Sequence, residues 1–358
     1  MAVPFLLAPM AELSHRPLRE LIESFKPKGS LSSSSGNDTV KAGEGEPEHE
    51  TGADEYFTEM ISAGAFVNKG RFEKWYIDNG PAPHKLVYQV VSGDENLLVQ
   101  AAAALDQKEC RGIDINMGCS APAITRTGAG VRWMVDIDRA ASLVHRLRPV
   151  TNHRLSIKLR IGMENDFAYL VRFCRRLEDE GVELITLHPR TAKEKFKRKA
   201  RWNYISALRN ELHIPVVGNG DIGSPEEMLR RSLECDGVMM GRLAVRCPWV
   251  FTEAKSIRAF GKIAEKQCDV TDQPPCNADS AETTIHTTTA TIDIRDTGLL
   301  FLDLLSRYQP PEFHVSRARR FFGYFCDNLK WGNYVKNLIN REVDLLGIER
   351  AWTGYFAK

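Results

Sequence analysis

The sequence predicts an α/β protein in which a (β/α)8 barrel, the TIM-barrel architecture, is followed by a small C-terminal helical bundle. Short apolar runs typical of buried strands alternate with amphipathic stretches typical of helices, and eight such pairs fit into residues 1–264. Glycine recurs where several apolar runs end, as expected where a parallel strand gives way to a loop. Helical periodicity without further strands returns in residues 298–358, which favours a bundle.

Eight apolar runs are predicted to be the barrel strands. They lie at residues 3–10, 56–60, 86–91, 112–116, 155–160, 183–187, 214–218 and 237–240. The intervening helices begin near Ser14 and Asp138 and cover residues 95–107, 167–180, 202–212 and 225–233. A last helix, from Pro248 to about residue 263, is predicted to close the ring.

The pattern divides the chain into two domains and two segments of low complexity. Residues 1–264 are predicted to form the catalytic barrel, and residues 298–358 a helical domain. Residues 26–54 are rich in Ser, Gly, Glu and Lys. They carry too few apolar side chains to offset the entropy of ordering, so they are predicted to be a disordered insertion. Residues 265–297, rich in Thr, Asp, Ala and Pro, are predicted to be a linker.

Composition predicts a soluble globular protein, with 43% hydrophobic and 27% charged residues. No run of about 18 apolar residues is available to span a membrane, and the start lacks the pattern of a secretory signal. Eight cysteines without CxxC spacing indicate reduced thiols and a cytoplasmic location, and they suggest neither a disulfide framework nor a zinc site. A net charge of +1 does not by itself indicate a nucleic-acid partner.

Cys119 is the first candidate for catalysis. Ile113 and Ile115 alternate with polar residues and lead through Met117-Gly118 into Cys119, which predicts a thiol at the carboxyl end of the fourth strand. Catalytic groups of barrels lie at that edge, because the loops there converge over a rigid scaffold. Free cysteines are often small buried hydrophobic residues, but the loop setting and the turn at residues 127–130 favour a functional thiol.

Two further patterns indicate a bound anion or electron-rich group. Lys158 lies inside an otherwise apolar strand, where an unpaired ammonium would be costly, so it reaches the barrel rim or meets a partner inside. A core carboxylate is the structural alternative for that partner. The loops after the seventh and eighth strands, a recurrent phosphate site in barrels, contain Asn219-Gly220-Asp221 and Gly241-Arg242. Ordinary tight turns are the alternative for these glycines.

The segment Asp114-Ile115-Asn116-Met117-Gly118-Cys119, followed by Gly128-Ala129-Gly130, resembles the signature of the tRNA dihydrouridine synthases, flavin enzymes that reduce a uridine base in transfer RNA. Two positions depart from the family pattern: Ser120 stands where proline is usual, and Ala123 where lysine is common. These departures concern fine substrate positioning and not the class of reaction. Further blocks match the family in order and extend the resemblance over residues 3–251; they lie at residues 8–10, 58–63, 89, 158–162, 188–191, 218–222 and 240–242.

The resemblance implies an oxidoreductase that uses flavin mononucleotide (FMN). Reduction of the C5–C6 double bond of uracil needs a hydride, which side chains cannot supply. In the family, reduced FMN gives the hydride to C6, the residue matching Cys119 gives a proton to C5, and NADPH reduces the flavin again. By resemblance, Asn116, Arg160 and Arg190 hold the uridine, and no metal is implied. The residues that the resemblance assigns to FMN are Ala8, Pro9, Met10, Gln89, Lys158, His188, Asn219, Gly220, Asp221, Gly241 and Arg242.

The expected partner is tRNA, whose uracil must leave the base stack to enter a pocket. Residues 190–201 carry seven basic side chains against Glu194 alone, a density that favours phosphate contacts. By resemblance, the helical domain also binds tRNA. Its basic and aromatic residues indicate either RNA binding or amphipathic packing; they are His314, Arg317, Arg319, Arg320, Phe321, Lys330, Trp331 and Lys336.

Three other functions compete with this hypothesis. A flavin barrel acting on a free pyrimidine would reduce uracil but not tRNA, and the basic loop disfavours it. A tRNA-binding barrel without catalysis would carry no flavin, and the presence of Cys119, Lys158 and His188 argues against it. A Schiff-base aldolase or isomerase that uses Lys158 would be trapped by borohydride with a carbonyl substrate.

Overall fold

The computed structural model describes residues 2–26, 51–195, 197–268 and 292–357. Its core is a closed barrel of eight parallel strands, in which each strand pairs with the next along the chain and the last pairs with the first. The predicted fold class is therefore confirmed. The barrel strands are β1 (Phe5–Leu7), β2 (Glu55–Phe57), β3 (Leu86–Val91), β4 (Gly112–Met117), β5 (Arg154–Arg160), β6 (Leu184–His188), β7 (Val216–Asn219) and β8 (Gly237–Met240). A further strand of two residues, Ile61–Ser62, pairs in parallel with Val90 and Val91 of β3.

Helices surround the barrel and form the C-terminal region. Those of the first part are α1 (Arg16–Glu23), α2 (Ala63–Val67), α3 (Glu73–Tyr76), α4 (Glu95–Asp106), α5 (Pro122–Thr125), α6 (Ile137–Leu147), α7 (Phe167–Asp179), α8 (Trp202–Arg209), α9 (Pro225–Arg231), α10 (Arg242–Arg246) and α11 (Val250–Cys268). The C-terminal helices are α12 (Ile294–Tyr308), α13 (Pro311–Phe325), α14 (Gly332–Arg341) and α15 (Leu345–Phe356). In the described ranges, no helix combines the length and the apolar character needed to cross a bilayer.

The main elements follow the predicted order, and the differences are local. The second strand ends at Phe57, not at Met60. At the next residue, Thr58, the side-chain hydroxyl accepts a hydrogen bond from the Gln89 N–H at 3.0 Å. The short helices α2 and α3 were not predicted. Helix α2 is capped by Ser62, whose hydroxyl accepts a hydrogen bond from the Ala65 N–H. A helix of five residues depends on such a cap and is too short to show helical periodicity in the sequence.

The inside of the barrel has an apolar part and a polar part. The polar part comes from β3, β4 and β5, where the strand register sets Gln89 beside Asp114 and Asp114 beside Ser156. The same register sets Asn116 beside Lys158, two residues nearer to the carboxyl ends of the strands. The apolar part is a separate cluster of buried side chains: Leu6, Ala8, Phe57, Val87, Leu184, Val217 and Met239.

The C-terminal helices pack on the barrel and share its hydrophobic core. Helix α12 contacts α1, and α13 contacts α10. Phe301 of α12 and Phe321 of α13 are fully buried and stack with 3.7 Å between their ring centroids. Arg317 of α13 donates a hydrogen bond of 2.7 Å to Glu59, and both side chains of this ion pair are almost completely buried. Apolar packing and a buried ion pair therefore join the helical region to the barrel.

Most of the predicted insertion and most of the predicted linker lie outside the described residues, at 27–50 and 269–291. The last residues of the predicted insertion are packed against the barrel: Ala53 is fully buried, and the Asp54 carboxylate accepts a hydrogen bond from the Phe5 N–H at 2.7 Å. Helix α11 continues to Cys268 and α12 begins at Ile294, so helical structure extends into both ends of the predicted linker.

Candidate active site

An open cleft lies at the carboxyl ends of the barrel strands. It brings together every residue predicted for the site except Gln89 and Arg190; the predicted residues in its lining are Ala8, Pro9, Met10, Asn116, Cys119, Lys158, Arg160, His188, Asn219, Gly220, Asp221, Gly241 and Arg242. Five lining residues were not predicted: Met60, Gly118, Ile222, Met239 and Met240. Four of these five are next to a predicted residue or next to one another in the chain. Their position at strand ends was the signal that could have identified them.

The loop that carries Cys119 is fixed by hydrogen bonds from both sides. The amide oxygen of Asn116 accepts hydrogen bonds from the N–H groups of Cys119, at 2.9 Å, and Gly118, at 3.2 Å. The carbonyl of Cys119 accepts from the Val131 N–H at 2.9 Å. Gly130 precedes that residue with φ +61°, and a Cβ there would lie 2.3 Å from the Cys119 carbonyl oxygen. The glycine turn is therefore required by the close approach of the two loops.

Cys119 is partly exposed to the cleft, unlike the fully buried Cys174, Cys235 and Cys326. Burial raises the pKa of Cys235 to about 11 and that of Cys326 to about 12, which makes these two thiols inert near neutral pH. Cys119 thus differs from the structural cysteines in its access to a ligand. The two positions that depart from the family pattern, Ser120 and Ala123, do not line the cleft.

Lys158 brings a cation into the cleft. Its ammonium donates a 3.0 Å hydrogen bond to the side-chain oxygen of Asn219, whose own amide donates to the Met239 carbonyl at 2.8 Å and is thereby fixed in orientation. Burial and the positive charge of Arg160 lower the pKa of Lys158 to about 8, against the opposing effect of Asp114. Lys158 is therefore a cation at neutral pH that loses its proton under mildly alkaline conditions.

Arg160 joins two loops. Its guanidinium donates to the carbonyl of Gly118 at 3.1 Å and to those of Thr191 and Lys195, each at 3.4 Å. The side chain lines the cleft but is largely buried. Arg160 thus connects the Cys119 loop to the basic loop that follows β6.

His188 is held neutral by its surroundings. Burial and the cations Lys158, Arg160, Arg190 and Arg242 lower the pKa of His188 to about 2. Its Nε2 lies 3.1 Å from Nη1 of Arg190. Because a guanidinium only donates, Nε2 accepts and the imidazole proton is on Nδ1. His188 in this state can accept or donate a hydrogen bond but cannot act as a general acid near neutral pH.

Arg190 and Gln89 lie behind the cleft surface. Arg190 is almost fully buried and, besides His188, donates to the Asp221 carboxylate at 2.6 Å. Burial opposes ionisation of Asp221, but the hydrogen bonds from Arg190 and from the Ala200 N–H prevail and lower its pKa. Gln89 is fully buried and bonds to Asp114 and Asn116. These contacts give both residues a role in holding the residues that line the cleft.

The two glycines of the predicted phosphate loops are also needed for packing. Gly220 has φ +123°, and a Cβ there would lie 2.9 Å from Cδ2 of His188. A Cβ on Gly241 would lie 2.8 Å from the sulfur of Met10. Each glycine therefore brings backbone N–H groups close to the cleft while leaving room for a neighbouring side chain.

Comparison with known proteins identifies the family. The sequence profile of the family described as dihydrouridine synthase (Dus) matches residues 6–296. The chain belongs to the dihydrouridine synthase family. This finding confirms the resemblance seen in the sequence. In the described part of the chain, no three His, Cys, Asp or Glu side chains are grouped closely enough to hold a metal ion.

Individual relatives agree with the family. A probable tRNA-dihydrouridine synthase of Aquifex aeolicus is 34% identical over 226 residues, covering 58% of this chain and 66% of that protein. A probable tRNA-dihydrouridine synthase 1 of Synechocystis is 30% identical and covers 59% of each chain. The tRNA-dihydrouridine synthase B of Xanthomonas axonopodis is 27% identical and covers 74% of each. The chain thus matches less than two thirds of the length of the first two relatives.

The basic loop after β6, residues 190–201, contains cations that pair with protein groups and an outer set that is exposed to solvent. Arg190 is buried, and Arg201 pairs with Glu194 at 2.5 Å. Lys193 is exposed and pairs with Glu164 at 2.5 Å. The remaining basic side chains form the outer set and are exposed to solvent: Lys195, Lys197, Arg198 and Lys199. The outer set gives this family member a positive surface on the loop that Arg160 connects to Cys119.

The cationic residues of the C-terminal helices are partly structural. Arg317 is buried in its pair with Glu59, and Phe321 is in the core, so amphipathic packing explains both. Arg319 donates to the Glu342 carbonyl at 2.7 Å. Trp331, in contrast, is 63% exposed, and the Lys330 ammonium lies 5.7 Å from its ring centroid. Of the predicted RNA-binding residues, Arg320 is exposed as well, and its side chain pairs with Glu12 at 3.5 Å. Arg320, Lys330 and Trp331 therefore have the exposure that a nucleic acid would need.

Proposed function

We propose that this protein is a tRNA-dihydrouridine synthase, which reduces the C5–C6 double bond of specific uridines in tRNA. The observation that carries the proposal is the position of Cys119, a partly exposed thiol at the carboxyl edge of the barrel, in a cleft that also contains the half-buried cation Lys158. Membership of the dihydrouridine synthase family supports this reading of the cleft.

The cleft fits FMN in its chemistry. Met10, Met239 and Met240 provide an apolar wall for a flat aromatic ring. The Lys158 ammonium uses one of its three donors on Asn219, which leaves donors for an anionic ring edge. Gly220 and the Gly241-Arg242 pair offer backbone N–H groups and a cation for a phosphate. Bound FMN, reduced by NADPH, would supply the hydride to C6 that no side chain can supply.

The proton that the reduction needs comes from a side chain of the protein. Cys119 in its thiol form gives a proton to C5 of uracil, so that hydride and proton together saturate the double bond. Asn116 and the glycine turn at Gly130 hold the main chain of Cys119 in place. Arg160, which also lines the cleft, holds the carbonyl of Gly118 on the other side of the loop. The proton donor is thus fixed before the substrate arrives.

The basic loop supplies a docking surface for RNA phosphates. Its outer cations, Lys195, Lys197, Arg198 and Lys199, are exposed, and its backbone at Thr191 and Lys195 is hydrogen-bonded to Arg160 in the cleft. A phosphate backbone bound there would lie beside the cleft into which the uracil is extruded. The exposed Trp331 with Lys330 offers a second contact, on the C-terminal helices.

A single-turnover experiment tests the reaction and the substrate together. The protein purified with its flavin is reduced under anaerobic conditions, and flavin absorbance is followed after addition of tRNA that lacks dihydrouridine. We expect oxidation by tRNA and none by free uridine, and a slow reaction in the Cys119→Ala variant, since general acid catalysis contributes roughly 10²- to 10⁴-fold. Oxidation by uridine but not by tRNA would refute the proposal and favour a small-molecule reductase.

A further inference from the structure

A continuous row of hydrogen-bonded side chains lies inside the barrel beneath Cys119. The carboxylate of Asp114 accepts from Nε2 of Gln89 at 2.7 Å, and Oε1 of Gln89 accepts from Nδ2 of Asn116 at 2.9 Å. Oδ1 of Asn116 then accepts from the Cys119 N–H at 2.9 Å. Asp114 and Gln89 are fully buried, and Asn116 is 7% exposed.

The row has a direction that its chemistry imposes. The second oxygen of Asp114 accepts from the Ser156 hydroxyl at 2.7 Å, so both oxygens of this carboxylate are acceptors. Gln89 must therefore turn its NH2 group toward Asp114 and its oxygen toward Asn116. Asn116 must in turn present its NH2 group to Gln89 and its oxygen to the Cys119 loop. A flipped amide anywhere in the row would set two donors or two acceptors against each other.

We propose that Asp114 and Gln89 are positioning residues for Cys119, acting through the amide orientation of Asn116. The inference rests on the proposed function, in which Cys119 is the proton donor. It gives Gln89 a role for the thiol loop besides the flavin contact that the sequence resemblance implies, because Gln89 is fully buried and bonds to Asp114 on one side and to Asn116 on the other. Asn116 likewise has its oxygen directed to the main chain of Gly118 and Cys119.

The strand register explains why this row is rigid. Gln89, Asp114 and Ser156 are cross-strand neighbours on β3, β4 and β5, so the three side chains start from one level of a closed sheet. Asn116 follows Asp114 by two residues and therefore points to the same side of β4. The side chains inside the barrel therefore hold the main chain of the loop that begins after Met117.

The test uses the full protein and the near-isosteric variant Gln89→Met, which removes both links of the row. We expect kcat for tRNA reduction to fall about tenfold, since a misplaced proton donor slows the chemical step, with KM for tRNA unchanged. Iodoacetamide labelling of Cys119, followed by peptide mass spectrometry, should become about fivefold faster as the loop loses a fixed acceptor. The affinity for FMN, measured by fluorescence quenching, separates this effect from the loss of a flavin contact, which would leave Cys119 labelling unchanged.

Two further variants separate orientation from charge and from stability. Asp114→Asn keeps an acceptor for Gln89 and can donate to the Ser156 oxygen, so Cys119 labelling should stay within about twofold of wild type. Asp106→Asn alters another buried carboxylate, which accepts from Asn152 and His153, and is the control for general destabilisation. It should lower the unfolding free energy without changing Cys119 labelling.

The outcomes are distinct. Unchanged Cys119 labelling in Gln89→Met would overturn the inference, whether or not FMN binding weakens. Labelling that accelerates equally in Asp106→Asn would also overturn it, because general loosening would then be the cause. Labelling does not depend on turnover, so a protein that reduces no tRNA would refute the proposed function and still report on the row.

Discussion

At the scale of residues, the ionisation of Lys158 sets the charge of the cleft. Its pKa, lowered by burial and by Arg160 to about 8, makes it a cation at pH 7 and neutral above pH 9. A charged donor binds an anionic ligand more tightly than a neutral one, so we expect the dissociation constant of FMN to rise about tenfold between pH 7 and pH 9.5. Fluorescence titration of the apoprotein with FMN at the two pH values measures this dissociation constant.

The Lys158→Met variant removes this titration. It should bind FMN weakly at both pH values, with little difference between them. Lys85→Met is a matched control, because Lys85 is also largely buried but pairs with Glu23 outside the cleft. A pH dependence that persists in Lys158→Met would show that another group controls FMN binding.

The buried, neutral imidazole of His188 should make the folded protein less stable in acid. Burial and the surrounding cations lower its pKa to about 2 in the folded protein, whereas the unfolded chain has a value of about 6.5. The unfolded state therefore binds a proton that the folded state does not, and stability falls as the pH falls below about 6.5. At pH 5 this single group costs about 2 kcal/mol.

Urea unfolding at pH 7 and pH 5 tests that value. His188→Asn should lose about 2 kcal/mol less stability than wild type between the two pH values. The exposed His213 serves as the control, and His213→Asn should keep the wild-type pH dependence. An unchanged pH dependence in His188→Asn would contradict the neutral state of the buried imidazole.

At the scale of elements, the turn at Gly130 holds the Cys119 loop. Gly130 has φ +61° and no room for a Cβ next to the Cys119 carbonyl oxygen. Gly130→Ala should therefore lower the unfolding free energy by more than about 1 kcal/mol. Gly323→Ala is the matched control: this glycine lies in α13 with no atom within 4 Å of an added Cβ, so alanine should stabilise the helix by about 0.5–1 kcal/mol. Equal effects of the two substitutions in urea unfolding would contradict this account.

The exposed cations of the basic loop should make the affinity for tRNA depend on the salt concentration. Replacing Lys195, Lys197 and Lys199 with Gln should reduce the slope of log affinity for tRNA against log salt by about 0.7–0.9 for each phosphate that the loop no longer neutralises. Filter binding at several salt concentrations measures the slope. Lys108→Gln, after α4 at the opposite edge of the barrel, should leave it unchanged. A slope unaffected by the triple substitution would make the loop an ordinary solvated surface.

The sequence predicted the long elements well and the short ones poorly. Strand β3 has the predicted bounds because a buried parallel strand is a continuous apolar run. Helix α2 depends on its Ser62 cap, whereas α3 has no side-chain cap and packs through Tyr76 against Phe313 of α13. The sequence pattern displays neither feature. Cys119 was identified by its place after a strand, but the burial of Gln89 required the register of neighbouring strands. Arg317 shows the same limit: its sequence left RNA binding and amphipathic packing open, because its partner Glu59 is 258 residues away in the chain.

At the scale of the whole molecule, the pair of Glu59 and Arg317 joins the barrel to the C-terminal helices. Both side chains are buried, so Arg317→Met leaves an unpaired buried carboxylate and should cost about 3–5 kcal/mol in urea unfolding. Arg71 pairs with Glu312 between the same two regions but is 76% exposed, and Arg71→Met should have little effect. Equal costs for the two variants would contradict a structural role for the buried pair.

The proposed reaction is the reduction of uridine in tRNA with Cys119 as proton donor. It is tested by mass-spectrometric quantification of dihydrouridine after incubation of the protein with FMN, NADPH and tRNA that lacks the modification. We expect dihydrouridine with the native protein and little with Cys119→Ala. NADPH oxidation without any dihydrouridine in the tRNA would contradict this function.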